Sequence, residues 1–460
     1  MLFDDTIAAI STPIGIGGIG IIRVSGKDTI RIVDKIFSAG NKKSLLEVAS
    51  HTITYGHIVD EKGNVLDEVL IMLMRAPKTF TREDVIEINC HGGPVPLNAV
   101  IMQVIKAGAI LAESGEFTKR AFLNGRIDLA QVEAVMDIIE SKTELSLAQA
   151  VGQLEGKLSK KIKEYQKILL NIIARIEVFI DYPEYDQDEP ITQDFREELE
   201  VLLIKLECLL QTADTGKMIR EGVKTAIVGR PNVGKSSLLN ALLEENKAIV
   251  TNVPGTTRDI VEAYLNIEGI PFLLLDTAGI RETEDIVEKI GVERSKTSIE
   301  EADLILMLID SYEGIHDGDI DLLKKIKGKR VFYVLSKADL GHEISQEILE
   351  KYLKDEKIVS ISTKEKSGLQ DLRLAMKEFV IKGNTPITGG VALSNKRQKE
   401  ALIHAITSLN KVMEAIRIGM PEDLLAIDLQ DAYGHLGMIV GEALKDEIIN
   451  ELFSRFCLGK

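Results

Sequence analysis

Residues 229–237 read GRPNVGKSS, set between the apolar run KTAIVG and the helical run SLLNALLE. The pattern G-x-x-x-x-G-K-[ST] constrains a fold strongly. It requires a strand that ends in a tight glycine-containing loop and a helix that starts on the Lys-Ser pair. The glycines let backbone N–H groups wrap phosphate oxygens, and the helix N-terminus favours the added negative charge. In that chemistry Lys235 lies on the outer phosphates and the Ser236 hydroxyl ligates magnesium. Asn232, Val233, Gly234 and Ser237 complete the loop. The flanking strand and helix weigh against a chance glycine-rich turn.

Three later segments follow in the order that a GTPase needs. GTTRD (255–259) offers Thr257 as a second magnesium contact. DTAG (276–279) follows an apolar strand, so Asp276 holds magnesium through water and the Gly279 N–H reads the γ-phosphate, with Thr277 and Ala278 between them. SKAD (336–339) places Asp339 to accept paired hydrogen bonds from the guanine edge, which adenine does not offer. Leaving such an acceptor unpaired is worth roughly 10⁴ in selectivity. Ser336 stands where N-K-x-D normally has Asn, followed by Lys337 and Ala338; SISTK (360–364) brings Ser362 behind the base, with Thr363 where S-A-K has Ala. The position that holds a water-orienting Gln in Ras-like proteins is Ile280 here, so hydrolysis needs another group. Glu284, Asp285, Glu288 and Glu293 are near in sequence, and by themselves read as surface charges of a helix.

The rest of the chain divides by pattern. Residues 1–118 alternate β-branched runs with Gly, Pro and Asn, and PVPLNAVIMQVIKAG reads as a helix begun by Pro and stopped by Gly108. Helical spacing dominates from 119 to 220 and again from 384 to 460, around an alternating strand–helix stretch at 221–383. The expectation is an α/β N-terminal domain and a discontinuous helical domain interrupted by an inserted Ras-like P-loop G domain, whose parallel-rich sheet has helices on both faces.

At 460 residues the chain has room for about three domains. No apolar run is long enough to span a bilayer and the N-terminus lacks a basic start, so the expected location is cytoplasmic, with no membrane partner. Cys90, Cys208 and Cys457 are too few and too far apart for a disulfide framework or a zinc site, and Cys208 in LECLL reads as a core residue. The net charge of −16 argues against gripping nucleic acid by the overall field, though it leaves room for a local basic patch. The acidic stretch 181–200 reads as a solvated loop leading into a helix. Cys457 is fourth from the end, but Gly459 and Lys460 fit a prenylation signal poorly.

The P-loop with Asn232, then TNVPGTTRD and DTAGIRETEDIVEKIGVER, resemble the MnmE (TrmE) family of tRNA-modification GTPases. So do TPIGIGGIGIIRVSG, TREDVIEINCHGGP, GEFTKRAFLNGRIDLAQVEA and the closing FCLGK, so the resemblance covers essentially the whole chain. It implies a homodimer of three-part subunits, with a tetrahydrofolate-binding, subunit-pairing domain at 1–118. It also implies joint action, as a heterotetramer, with an FAD- and NADH-dependent MnmG (GidA) flavoprotein. Together they would install a carboxymethylaminomethyl or similar aminomethyl-type group on carbon 5 of the wobble uridine of certain tRNAs. The implied cofactors are GTP, Mg²⁺, K⁺ and 5-formyl- or 5,10-methylene-tetrahydrofolate. By resemblance, potassium maps to Asn232 and to backbone carbonyls of Thr251, Val253 and Thr256, and Glu288 becomes the switch glutamate that positions water. Arg23, Glu87, Arg126 and Lys460 map to folate. Cys457 is then either a nucleophile or redox group, or structural. Cys90 and His91, adjacent on a strand, point apart and read as a structural turn. Two alternatives stay open: a ribosome-assembly GTPase acting as an RNA-binding switch, and a free-standing folate-dependent aminomethyltransferase with an accessory G domain.

Overall fold

The computed structural model describes residues 4–40, 44–181, 192–245, 249–250, 263–275, 298–341, 353, 356–381, 391–442, 446–454, 456 and 459. The chain divides into two units, Met1–Met136 with Gly437–Lys460 and Asp137–Leu436.

In the first unit, alternating apolar residues build a mixed sheet. Its strands are β1 (Ile7–Ile10), β2 (Ile19–Ser25), β3 (Phe37–Ala39), β4 (Thr52–Val59), β5 (Val65–Met74), β6 (Val85–His91) and β7 (Ile110–Leu111). They lie in the order β3-β4-β5-β6-β2-β1-β7. β7 runs parallel to β1 and the other neighbours are antiparallel. Because successive side chains alternate between faces, Ile22, Val24, Ile86 and Ile88 bury against helices Thr29–Ile36 and Pro94–Lys106. The other face carries Arg23 beside Glu87, then Met72 and Ile53 in register. A second cluster joins Ala121, Val132, Phe453 and Phe456, which ties the helix Asp446–Ser454 to the helix Glu116–Leu123. Beside it Arg120 is completely buried, bonding Asp5, Glu83 and Glu116. A buried guanidinium holds its charge only when paired in this way.

The second unit contains β8 (Val223–Val228), β9 (Ile249–Val250), β10 (Ala263–Ile267), β11 (Ile270–Leu275), β12 (Leu304–Asp310), β13 (Val331–Ser336) and β14 (Lys357–Ser360). The order is β14-β13-β12-β8-β11-β10-β9. The pairs from β14 to β11 are parallel, and β10 and β9 add an antiparallel edge that the sequence reading did not anticipate. Both faces are buried, one under helices Lys235–Glu245 and Leu369–Val380 and the other with Ile299 and Ile326. A strand covered on both sides reads as a continuous apolar run, as LILMLID does in β12.

The helix Thr192–Glu221 runs to the start of β8 and packs against the helix Lys396–Arg417. Leu199, Leu202, Leu206, Leu209 and Ala213 form its buried stripe. Cys208 is exposed, which corrects the expectation that it sits in the core. It lies about 140° around the helix from the centre of that stripe, and flanking leucines do not reveal that. The returning chain docks on the same helix: the Leu393 N–H donates to Thr212 Oγ1 at 3.3 Å, and Thr215 Oγ1 donates to the Val380 carbonyl at 3.1 Å. Gly216 allows this, since a Cβ there would collide with the Leu393 carbonyl oxygen. Gln153, on the helix Glu144–Leu154, donates to the Ala392 carbonyl at 3.1 Å and so secures the return. Among the described residues, no helix is long and apolar enough to cross a membrane.

Candidate functional site

The loop 229–234 leaves β8 and enters the helix Lys235–Glu245, the strand–loop–helix arrangement that its motif requires. Gly234 has φ +101°, a conformation open to glycine and strained for other residues, and Asn232 is left-handed at φ +64°. The Lys235 ammonium curls over the loop and donates to the Gly229 and Arg230 carbonyls at 2.8 and 2.7 Å. Burial lowers its pKa. Ser236 and Ser237 are exposed on the first helical turn. Helix-start N–H groups, a positive φ at Gly234 and a lysine over the rim fit a polyphosphate.

Arg230 fixes the loop from behind. Its Nε donates to Asp319 Oδ2 at 2.7 Å, and Asp319 is fully buried. The same oxygen accepts from the His316 N–H at 3.0 Å. Sequence reasoning missed Arg230, because it occupies a variable position of the motif whose partner lies 89 residues away.

The SKAD turn and the loop of Ser362 meet the loop from the far side. Ser336, at the end of β13, is buried, and its hydroxyl donates to the Val233 carbonyl at 2.6 Å. Lys337 is left-handed at φ +57° and pairs with the buried Asp310 carboxylate at 2.6 Å. Burial would raise the Asp310 pKa, but Lys337 and the N–H groups of Glu313 and Tyr312 together lower it. Ala338 N–H donates to the Ile361 carbonyl at 3.1 Å, which joins the SKAD turn to the loop of Ser362. Ser362 Oγ donates to Asp339 Oδ1 at 2.7 Å and accepts from the Glu365 N–H at 3.1 Å. That hydrogen bond holds the Asp339 carboxyl below the usual range. Asn232, Val233, Gly234, Lys235, Ser236, Ser237, Ser336, Lys337, Ala338, Asp339 and Ser362 thus belong to one connected constellation. Thr251, Val253, Thr256, Thr257, Asp276, Thr277, Ala278, Gly279 and Glu288 lie outside the described residues.

A second constellation occupies the first unit. Arg23 donates through Nε and Nη2 to Glu87 Oε1 at 3.0 and 2.8 Å. Its guanidinium lies 5.8 Å from the Phe80 ring centroid and 5.6 Å from that of Phe117, and Arg126 stands 4.9 Å from Phe80. Arg23 and Arg126 therefore share the Phe80 ring, and Glu87 is held by Arg23. Each cation–π contact contributes on the order of 0.5–2 kcal/mol. Phe80 and Phe117 were missed in the sequence, where an isolated Phe reads as core. The described part of the tail reaches the same sheet: Ser11 Oγ donates to the Gly459 carbonyl at 3.0 Å, and Phe456 is buried beside Gly115. Cys457 and Lys460 lie outside the described residues.

Cys90 and His91 do point apart. Cys90 is buried, its thiol donates to the Gly20 carbonyl at 3.3 Å, and burial pushes its pKa up to about 11. His91 is exposed and pairs through Nδ1 with Asp67 at 2.6 Å, which raises its pKa.

Comparison with known proteins adds an independent line. Residues 6–126 match the family model described as GTP-binding protein TrmE N-terminus, and residues 129–457 match that of the MnmE helical domain. The chain is 50% identical to the tRNA modification GTPase MnmE of Acetivibrio thermocellus, covering 100% of both chains. It is 49% identical to that of Geobacillus kaustophilus, covering 99% of both. Among solved structures it is similar to the G domain of the T. maritima FeoB iron transporter, at 29% identity over 35% of this chain and 97% of that one, with a TM-score of 0.25.

Proposed function

This chain belongs to the MnmE family of tRNA modification GTPases and is itself a GTPase, and from that premise we propose the finer chemistry. The chain acts with an FAD- and NADH-dependent MnmG-type flavoprotein and a tetrahydrofolate one-carbon donor on the wobble uridine of certain tRNAs. The product is a carboxymethylaminomethyl or similar aminomethyl-type group on carbon 5. The observation that carries this reading is the match from end to end, which takes in both constellations and the tail. A ribosome-assembly switch would share the phosphate loop but not the first unit.

In this proposal the subunit has three parts, 1–118, 119–220 with 384–460, and 221–383, and works in the cytoplasm. Two subunits pair, and the exposed Ile53 and Tyr55 of β4 support a paired surface. Lys235 and the loop N–H groups hold the phosphates, and Asp339 reads guanine with Ser362 fixing its carboxylate. Ser236 and Thr257 hold Mg²⁺, and Asn232 with the carbonyls of Thr251, Val253 and Thr256 holds K⁺. A bound cation there supplies positive charge against the charge that develops on the transferring phosphoryl oxygens. Glu288 orients the attacking water in place of the missing Gln. Glu87 accepts from the N–H edge of a pterin, while Arg23, Arg126 and Lys460 pair with the ligand's acidic groups.

Two measurements test this. GTP turnover by the full chain is compared in KCl and NaCl at matched ionic strength; equal rates would remove the potassium role. Calorimetric titration of 5-formyltetrahydrofolate into the full chain and into a form ending at Phe456 addresses the one-carbon site. Loss of binding on truncation places the tail in that site. No binding by either form would remove folate from the scheme.

A further inference from the structure

Residues 157–167, KLSKKIKEYQK, contain five lysines and one acid in a chain whose net charge is −16. They form the first three turns of the helix Lys157–Asp181. Leu158, Ile162, Tyr165 and Leu169 supply its buried stripe. Lys160, Lys163 and Lys167 are exposed on the opposite side. Steps of three and four residues keep them within about 60° of one line and advance about 4.5 and 6 Å along the axis. The result is a row of cations on a rigid element.

This placement opposes the local electrostatics. The first turn of a helix carries partial positive charge, so Lys157 and Lys160 are disfavoured there and acids favoured. The first turn here has no acid. Lys157 pairs with Glu155 at 3.2 Å, whereas Lys160, Lys163 and Lys167 have no ion pair among the described residues. A second basic run, at 324–330, shows the contrast. Lys324 and Lys325 occupy the last turn of the helix Asp317–Lys325, where the dipole favours cations. Lys324 pairs with Asp321 at 3.1 Å, Lys329 donates to the Glu300 carbonyl at 2.9 Å, and Arg330 lies over Phe379. Lys324, Lys329 and Arg330 thus have partners within the fold. Lys160, Lys163 and Lys167 have no ion pair of this kind among the described residues.

We infer that Lys160, Lys163 and Lys167 form a phosphate-contacting docking surface for the tRNA backbone. The inference rests on the family reading that tRNA is the substrate. Extended, evenly spaced ammonium groups suit a phosphate chain, since each contact releases a counterion and needs no base-specific geometry. The row supplies affinity and orientation, and leaves base recognition to other groups.

The test uses the full chain, a fluorescein-labelled tRNA transcript and the triple variant K160Q/K163Q/K167Q. Binding is measured by anisotropy across a KCl series. The variant is expected to bind about tenfold more weakly at low salt, and its slope of log affinity against log salt should be shallower by about 3. GTP turnover should not change, and the thermal midpoint should hold or rise, because helix-opening cations have been removed. Unaltered affinity and slope in the variant would overturn the surface while leaving tRNA as substrate. No tRNA binding by the unsubstituted chain would overturn both readings. Intact tRNA binding with lost flavoprotein binding would assign the row to a protein partner and overturn it as an RNA surface.

Discussion

Ser336 Oγ donates to the Val233 carbonyl at 2.6 Å, so the strand end that carries the SKAD turn is tied to the loop 229–234. A hydroxyl has one proton, and the Ile309 carbonyl at 3.2 Å is the weaker of its two acceptors. Ser336→Ala leaves the Val233 carbonyl without this donor. The cost of about 1–2 kcal/mol is roughly 5–30-fold in affinity. Titration of a fluorescent GDP should show that loss with the thermal midpoint changed by only a few degrees. Unchanged affinity would mean that the tie does not order the loop.

Asp339 should decide which purine is accepted. Its carboxylate can accept from both N–H groups of guanine, and Ser362 already fixes one oxygen. Asp339→Asn replaces one acceptor by a donor, which suits the C2 carbonyl of xanthine. GTP turnover at subsaturating nucleotide should fall by at least about 100-fold, with XTP gaining as GTP loses. Retained preference for GTP would place guanine recognition elsewhere.

The Lys337–Asp310 pair gives a pH dependence of known sign. The folded-state pKa of Asp310 is lowered relative to the unfolded chain. Its contribution is therefore full at neutral pH and is lost as pH falls below about 4, through the folded value. Lys337→Met removes the ammonium but keeps the stem. Because Lys337 is half-buried and two N–H donors remain on Asp310, the loss at neutral pH should be about 2 kcal/mol. Acid unfolding, followed by circular dichroism, should begin at higher pH in the variant. Coincident acid transitions would show that the pair contributes nothing.

Around Phe80, Arg23→Ala and Glu87→Gln should each weaken 5-formyltetrahydrofolate binding. Loss of one charge-assisted hydrogen bond, about 1.5–3 kcal/mol, corresponds to roughly 10–150-fold. Calorimetry is the direct measurement. The GTP turnover of both variants serves as the control for folding, since neither residue belongs to the nucleotide constellation. Equal folate affinity in all three proteins would move the ligand away from this ring.

What was legible in the sequence was what depends on local order. The phosphate loop, its strand and its helix are contiguous, so GRPNVGKSS carries its own geometry. Strands buried on both faces, such as LILMLID, announce themselves as apolar runs. The alternating strands of the first sheet were also readable. Features that depend on distant partners were not. Arg120 is a charged residue in an ordinary helix until Asp5, Glu83 and Glu116 converge on it. Arg230 gains its role only from Asp319, and Phe80 only from Arg23 and Arg126. Short pairings such as β3, β7 and β9 have too few residues for a period to register. Cys208 failed for a different reason: three flanking leucines do not say which side of a helix the fourth residue faces.

Gly216 brings the outgoing and returning chain together on one helix, with Leu393 lying against the residue that precedes β8 by only two turns. The nucleotide-binding sheet is thus a cassette whose two ends are neighbours. A direct splice from the helix Thr192–Glu221 to Leu393 would need only a short turn, and the helices on either side would keep their order. Such a segment can be gained, lost or exchanged as a block without rethreading the rest of the chain.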